Sequence, residues 1–474
     1  MLFNSWEFII LFTVTCVLYF NIPHRYRALL LLISSYVFYS FWRWDFALLM
    51  LGVSLMNYYG GLKIHQTDGQ RQQKVWLWGT VILSLIPLLY LKYGNFFIAN
   101  LNELVSETHK FSTLDVILPV GISFFTFQAL SYSLDIYFKK TTVERNIVNF
   151  CVFVAFFPQL VAGPIERSSN LLKQFRVPHY FDRDAFMAGA KLFIWGLFKK
   201  VVIADRLAFY VDRVYEHPEL YGASTLAVAT LFFAVQIYCD FSGYSDMAIG
   251  TARILGFKLM QNFNLPYFAK SISDFWRRWH ISLSTWFSDY LYKPLGGSRV
   301  SYYRWLVNIF IVFLVSGFWH GANWTFIIWG FLHAAFYVLE NWGDKVLEML
   351  KLSKLKTSKA YHGFKVLSVF LLVCYAWIYF RASSSSDAFL ISSRLVTDWH
   401  QSLYLGASTV SFVLCIVLIV VLGVVQVFQY KGYASLYFSE SKVHPYAQLV
   451  WYVLLLLGIS LLGISSNSFI YFQF

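Results

Sequence analysis

Apolar runs about the length of a bilayer crossing recur from one end of this chain to the other. They lie near residues 8–20, 28–42, 46–62, 75–91, 116–138, 147–163, 187–204, 224–239, 363–380, 404–428 and 447–465, with two more at 305–318 and 324–339. A transmembrane helix needs roughly 20 apolar residues, and a spanning segment must satisfy its own backbone groups. The runs therefore predict an all-α polytopic membrane protein with eleven to thirteen membrane segments, some of them short or re-entrant. Charged residues make up 13% of the chain, about half the roughly 25% of a soluble domain. The only low-complexity tract is Ser383–Ser386, too short for a linker, and no tandem repeat is visible. One integral membrane domain over residues 1–474 is the expectation.

Glu7 interrupts the first run, no basic segment precedes it, and no small-x-small site follows. The first helix is therefore expected to be a retained anchor, not a cleaved signal. The five cysteines (Cys16, Cys151, Cys239, Cys374, Cys415) stand singly in or beside apolar runs, as small buried residues rather than ligands or disulfides. The net charge of +13 is concentrated in two places. Eight Lys/Arg stand against Asp274 and Asp289 between Arg253 and Arg304, and six lysines against Asp344 and Glu348 between Asp344 and Lys365. In a soluble protein such density would raise nucleic acid as a partner. Between membrane segments it marks cytoplasmic loops facing anionic headgroups, so the bilayer is the expected partner and nucleic acid is not.

Those two basic loops flank residues 305–341, and an even number of crossings must separate loops on one side. The stretch is thus predicted to be a hairpin. Its first apolar arm, about 14 residues, would reach only about 21 Å of a hydrocarbon core about 30 Å thick. The tip, Gly317–Asn323 within SGFWHGANW (316–324), is then expected inside the membrane or just short of its far face. Polar residues at such depth are functional candidates by default. The imidazole of His320 suits general-base work on a hydroxyl or thioester. Trp319 and Trp324 would wall the site, and Asn323 would orient the ring or bind an oxyanion. The competing reading is a histidine that bonds helix ends in a packed bundle.

A second constellation is SDFWRRWHISLSTWFSDY (273–290). As one helix it puts Trp276, Trp279, His280, Leu283, Phe287 and Tyr290 within about 100°, with Arg278, Thr285 and Asp289 opposite. That predicts an amphipathic helix at the interface or lining a cavity. The aromatic stripe needs no further explanation, but His280 in the middle of the apolar face does. A third, YCDFSGYSD (238–246), offers Asp240 and Asp246, either as an ion path or, more in keeping with the pattern, as a structural polar knot. Metal-ligand spacing is absent, and there is no GxGxxG, Walker loop or GxSxG.

At these stretches the chain resembles the membrane-bound O-acyltransferase family, in its bacterial branch of alginate O-acetyltransferases and teichoic-acid D-alanine transferases. The resemblance is carried by LPVGISFFTFQALSYSLDIY (118–137), FFPQLVAGPIERSSNLLKQF (156–175), CDFSGYSDMAIG (239–250), NFNLPYFAKSISDFWRRWHISLSTWFSDYLYKPLGGSR (262–299) and WHGANWTFIIWGFLHA (319–334). The motif core spans about residues 118–340, and LYKPLGGSR favours the alginate-type branch. AWIYFRA (376–382) is the best-looking piece of a looser C-terminal third. The resemblance places the family's nearly universal histidine at His320 and its second characteristic histidine at His280. It implies helices arranged around a thin core, with a tunnel joining a cytosolic acyl donor to an external acceptor.

The resulting expectation is an O-acyltransferase in the inner membrane of a bacterium, with no bound cofactor and no metal. Acyl-CoA, with acetyl-CoA foremost, would be the donor substrate. His320 would act as general base or briefly carry the acyl group, and His280 would position the donor or share a proton. Trp279, Arg277, Arg278 and Asp289 complete the candidate donor site, with Lys293 and Arg299 as further attractors of CoA phosphates. The acceptor would be an exported or cell-surface polysaccharide, reached through a periplasmic SGNH-type acetyltransferase. A transporter or channel using Asp240 and Asp246, or a non-catalytic scaffold of an export complex, are the competing readings.

Overall fold

The computed structural model describes residues 1–106, 109–161, 163–351, 356–433, 444–464 and 469–470. Among them every regular element is helical, from Trp6–Asn21 to Pro445–Leu462. Each apolar run coincides with a helix, but not every run makes a crossing. Among the described residues, five helices are long and apolar enough to span: Gln70–Asn102, Ala223–Ile254, Tyr302–His320, Lys359–Arg381 and Thr409–Tyr430. The run at 147–163 yields only the nine-residue helix Ile147–Ala155 before the backbone turns irregular. Hydropathy alone overstates such a segment, because the buried interior of the protein supplies the same apolar surroundings as lipid.

The chain forms two compact units, residues 1–193 with 244–260, and residues 194–243 with 261–474. In the first, the helices Trp44–Gln66, Gln70–Leu88 and Ile122–Tyr137 pack closely, and small residues make this possible. A Cβ on Gly60 would lie 2.2 Å from Thr80 Oγ1, and one on Gly61 2.5 Å from the Tyr132 ring. Buried polar side chains join the same helices. Asn57 donates to Ser84 Oγ at 2.9 Å and accepts from Ser133 Oγ at 2.8 Å. Apolar contact in lipid brings no hydrophobic gain between helices, so close packing and interhelical hydrogen bonds take over that role.

The second unit carries the predicted hairpin. Its arms are Tyr302–His320 and Trp324–Met349, joined by three residues. The first arm is longer than the apolar run suggested: 19 residues rise about 28 Å, nearly the full hydrocarbon thickness. Length therefore does not hold the tip inside the membrane, and His320 lies on the last helical turn rather than in irregular backbone. Glycine sets the spacing of the arms. A Cβ on Gly317 would sit 2.2 Å from the Phe326 carbonyl oxygen, and one on Gly330 2.3 Å from that of Phe313. Deeper between the arms, Ile309, Ala334 and Val338 form a small core with Trp305, Phe313 and Tyr337 around it. Outward-facing side chains are apolar where lipid would lie, as along Val410, Val413, Val417, Val420 and Val424.

The segment 273–290 is not one amphipathic helix. It breaks into Ile272–Trp276, Ile281–Phe287 and a π-helical turn Ser288–Tyr292. The break falls at His280, whose φ of 43° is left-handed. Hydrophobic periodicity cannot register a single residue that reverses the backbone.

Either Gly317→Ala or Gly330→Ala is expected to force the hairpin arms apart, at about 1–3 kcal/mol for overpacking. A detergent-solubilised variant melting at the wild-type temperature would show that the arms do not need this approach.

Candidate functional site

Two histidines predicted from sequence come together around one indole in the second unit. His320 is buried at the C-terminal end of its helix. Its ring is met nearly edge-to-face by Trp319 at 5.0 Å, Trp329 at 5.0 Å and Phe380 at 5.3 Å between centroids. The fully buried ring of His280 lies 6.1 Å from Trp319 on one side and 4.6 Å from Phe241 on another. Trp319 is thus the neighbour the two imidazoles share.

The orientation of His280 is built from a second strand of polar contacts. Asn262 Oδ1 lies 3.1 Å from His280 Nδ1 and accepts from the Ser282 hydroxyl at 2.9 Å and the Ser282 amide at 3.3 Å. The amide of Ile281 donates to the Asn262 carbonyl at 2.9 Å, so backbone and side chain of Asn262 hold the break together. With Ser282 already donating to Oδ1, the consistent tautomer of His280 donates from Nδ1, which makes Nε2 the basic nitrogen. His280 lies outside the spanning helices, and burial pushes its pKa down to about 3. The ring is therefore neutral near pH 7 and can accept a proton only when a reaction delivers one.

The remaining sequence candidates divide. Trp279 is buried and packs on Phe263, Phe275 and Trp377 at 5.0, 5.6 and 5.1 Å, so it supports the His280 segment from behind. Asn323 spends its side chain on the hairpin: Oδ1 accepts from the Thr325 amide at 3.1 Å and Nδ2 donates to the Ser383 carbonyl at 3.3 Å. Those contacts make Asn323 the cap of the second arm. Trp324 is 53% exposed and makes a poor wall for a buried ring. Arg278 pairs with Asp274 at 2.9 Å, Asp289 pairs with Lys293 at 2.6 Å, and Arg277 is exposed.

Sequence reasoning missed Asn262, Phe241, Trp329 and Phe380. All four lay inside quoted motifs, but only the hairpin geometry shows that position 329 folds back onto position 320. Asp240, the third constellation, is engaged by Lys200 at 2.7 Å, and Lys200 also holds Asp205 at 2.7 Å. The other oxygen of Asp240 accepts from the Ile470 amide at 2.7 Å. This is the polar knot the sequence pattern favoured, with one lysine between two buried carboxylates.

Comparison with known proteins gives the family. The family model of the membrane-bound O-acyltransferases matches residues 139–385. The chain is 41% identical over 415 residues to the probable alginate O-acetylase AlgI of Pseudomonas aeruginosa, covering 85% of this chain and 76% of that protein. It is 37% identical to the probable alginate O-acetylase AlgI of Azotobacter vinelandii over the whole of both chains. A peptidoglycan O-acetyltransferase of Helicobacter pylori is 36% identical over 84% of this chain and 80% of its own.

Lys200→Met would strand two buried carboxylates, and a loss of about 3–5 kcal/mol is expected. Adding Asp240→Asn should return part of that stability. A double variant no more stable than the single one would show that the knot is not the coupled unit described.

Proposed function

The chain belongs to the membrane-bound O-acyltransferase family, and from that premise we propose that it moves an acetyl group from cytosolic acetyl-CoA across the membrane for O-acetylation of an exported or cell-surface polysaccharide. The observation that carries this reading is the meeting of two buried histidines on Trp319. Two imidazoles in one protein-lined space can move a proton during acyl transfer.

His320 accepts the proton of the incoming hydroxyl as that oxygen attacks the thioester carbonyl. The C–S bond then breaks, and the proton returns to the departing thiolate, leaving free thiol and acetyl ester. His280, held by Asn262, positions the donor or shares the proton through Nε2. The surrounding rings of Trp319, Trp329 and Phe380 exclude water, which would otherwise intercept the acetyl group. Arg277 and Arg299, both exposed, are the basic residues that would attract the phosphates of the donor. Arg278 and Lys293 already hold carboxylates.

The site of action is the cytoplasmic membrane of a bacterium, and the acceptor side is served by a periplasmic SGNH-type acetyltransferase. Transport through the Asp240 region gains no support from a carboxylate already bound to Lys200.

With purified protein, acetyl-CoA and a hydroxyl acceptor, His320→Ala is expected to lower kcat by about 10²- to 10⁴-fold, and His280→Gln by a smaller factor. If His320→Ala, expressed at wild-type level, supports full O-acetylation of the cell's polysaccharide, the assignment of the base is wrong. Solute flux that persists without any acyl-CoA would favour transport instead.

A further inference from the structure

Phe380 covers one side of the His320 ring from the last turn of the Lys359–Arg381 helix. It is buried and meets four rings nearly edge-to-face: His320 and Trp329 at 5.3 Å, Phe326 at 5.0 Å and Trp377 at 5.1 Å. A helix end is a poor place for a wall. The last four carbonyls of a helix lack intrahelical partners, and terminal turns fray. Contacts from outside the helix must therefore hold position 380.

The residues that follow supply two such ties. Arg381 Nη2 donates at 2.6 Å to Oδ1 of Asp212, which stands on the helix Asp205–Glu216. The same guanidinium lies 5.6 Å from the centre of the buried Tyr215 ring. Two residues further on, the Ser383 carbonyl accepts from Asn323 in the turn between the hairpin arms. The end of the Lys359–Arg381 helix is thus strung between a neighbouring helix and the hairpin tip, on the tip side of the unit. The ion pair is part-exposed, Arg381 at 16% and Asp212 at 43%, so solvent screens it and it adds little to global stability. Its effect is local, on the turn that carries Phe380.

Chemistry gives that turn a task. A thioester beside a general base is open to water as well as to the intended hydroxyl. When water enters, its oxygen attacks the carbonyl and His320 takes the proton. The C–S bond then breaks and the proton passes to the thiolate, giving acetic acid and free thiol. We propose that Arg381 is a positioning residue: its pairing with Asp212 keeps Phe380 seated on His320, and so sets the partition between transfer to the acceptor and loss of the acetyl group to water. This role rests on the acyl-transfer reading above and adds to it a residue that acts through Phe380.

The test is release of thiol from acetyl-CoA by the full-length protein in detergent, with no acceptor present. Arg381→Ala is expected to raise this hydrolysis about tenfold over wild type, with thermal melting close to that of wild type. Phe380→Ala should do the same, and the two together should do no more than either alone, because they remove one contact. Adding His320→Ala should abolish the gain. Arg381→Asp combined with Asp212→Arg rebuilds the pair with its charges exchanged and should bring hydrolysis most of the way back. Loss of structure lowers turnover, so it cannot imitate a rise. Hydrolysis that is unchanged or lower in Arg381→Ala overturns the role, and so does a rise confined to Phe380→Ala. If Arg381→Ala does not fold, unchanged hydrolysis in Asp212→Asn overturns it instead. A wild-type protein that acetylates a hydroxyl acceptor, beside an Arg381→Ala variant with no added hydrolysis, sinks the positioning role alone. A wild-type protein inert toward acetyl-CoA, with or without acceptor, removes the acyl-transfer reading and this role together.

Discussion

The backbone contact between Gly317 and Gly330 decides what the rest of the second unit can do. With any larger residue at either position, a side chain would collide with a carbonyl of the facing arm. Glycine in a helix interior costs about 0.5–1 kcal/mol relative to alanine, and here that cost is offset by the approach it permits. Because the arms touch, Trp329 reaches back across the turn to His320, and Phe380 closes the other side. The site is thus a product of helix spacing before it is a product of any catalytic side chain.

The other half of the construction is polar. Asn262 gathers the Ser282 amide, the Ser282 hydroxyl and the His280 ring on one oxygen, and its own carbonyl receives the next amide along. In a low-dielectric interior such a cluster is worth making only if it is complete. The Lys200 knot follows the same logic with full charges. Buried polar contacts thus tie the second unit together at two places, around Asn262 and around Lys200.

Much of this was legible in the residues. Apolar run length gave the class, loop charge gave the hairpin, and a titratable ring at the break in an apolar pattern pointed to His320, the base proposed above. What escaped was whatever depends on the path of the backbone. The first arm was measured from its apolar residues alone, so Tyr302–Arg304 at one end and Trp319–His320 at the other, which lengthen it, were left out. The wheel drawn through residues 273–290 assumed a continuity that His280 breaks. Asn323 has the side chain for an oxyanion contact, yet it also stands directly before a helix, where an asparagine oxygen is the preferred cap. That local hydrogen-bond demand is met here by its side-chain oxygen.

The left-handed backbone at His280 has an evolutionary side. A residue with a Cβ pays about 1–2 kcal/mol to stand in that region, and glycine pays almost nothing. If the turn were the only task of position 280, drift toward glycine or asparagine would be rewarded by a more stable protein. The imidazole therefore stands at a backbone position that glycine would fill at lower cost. Stabilised descendants of this chain would be expected to lose His280 early, and to lose it silently in any screen that reads only thermal stability.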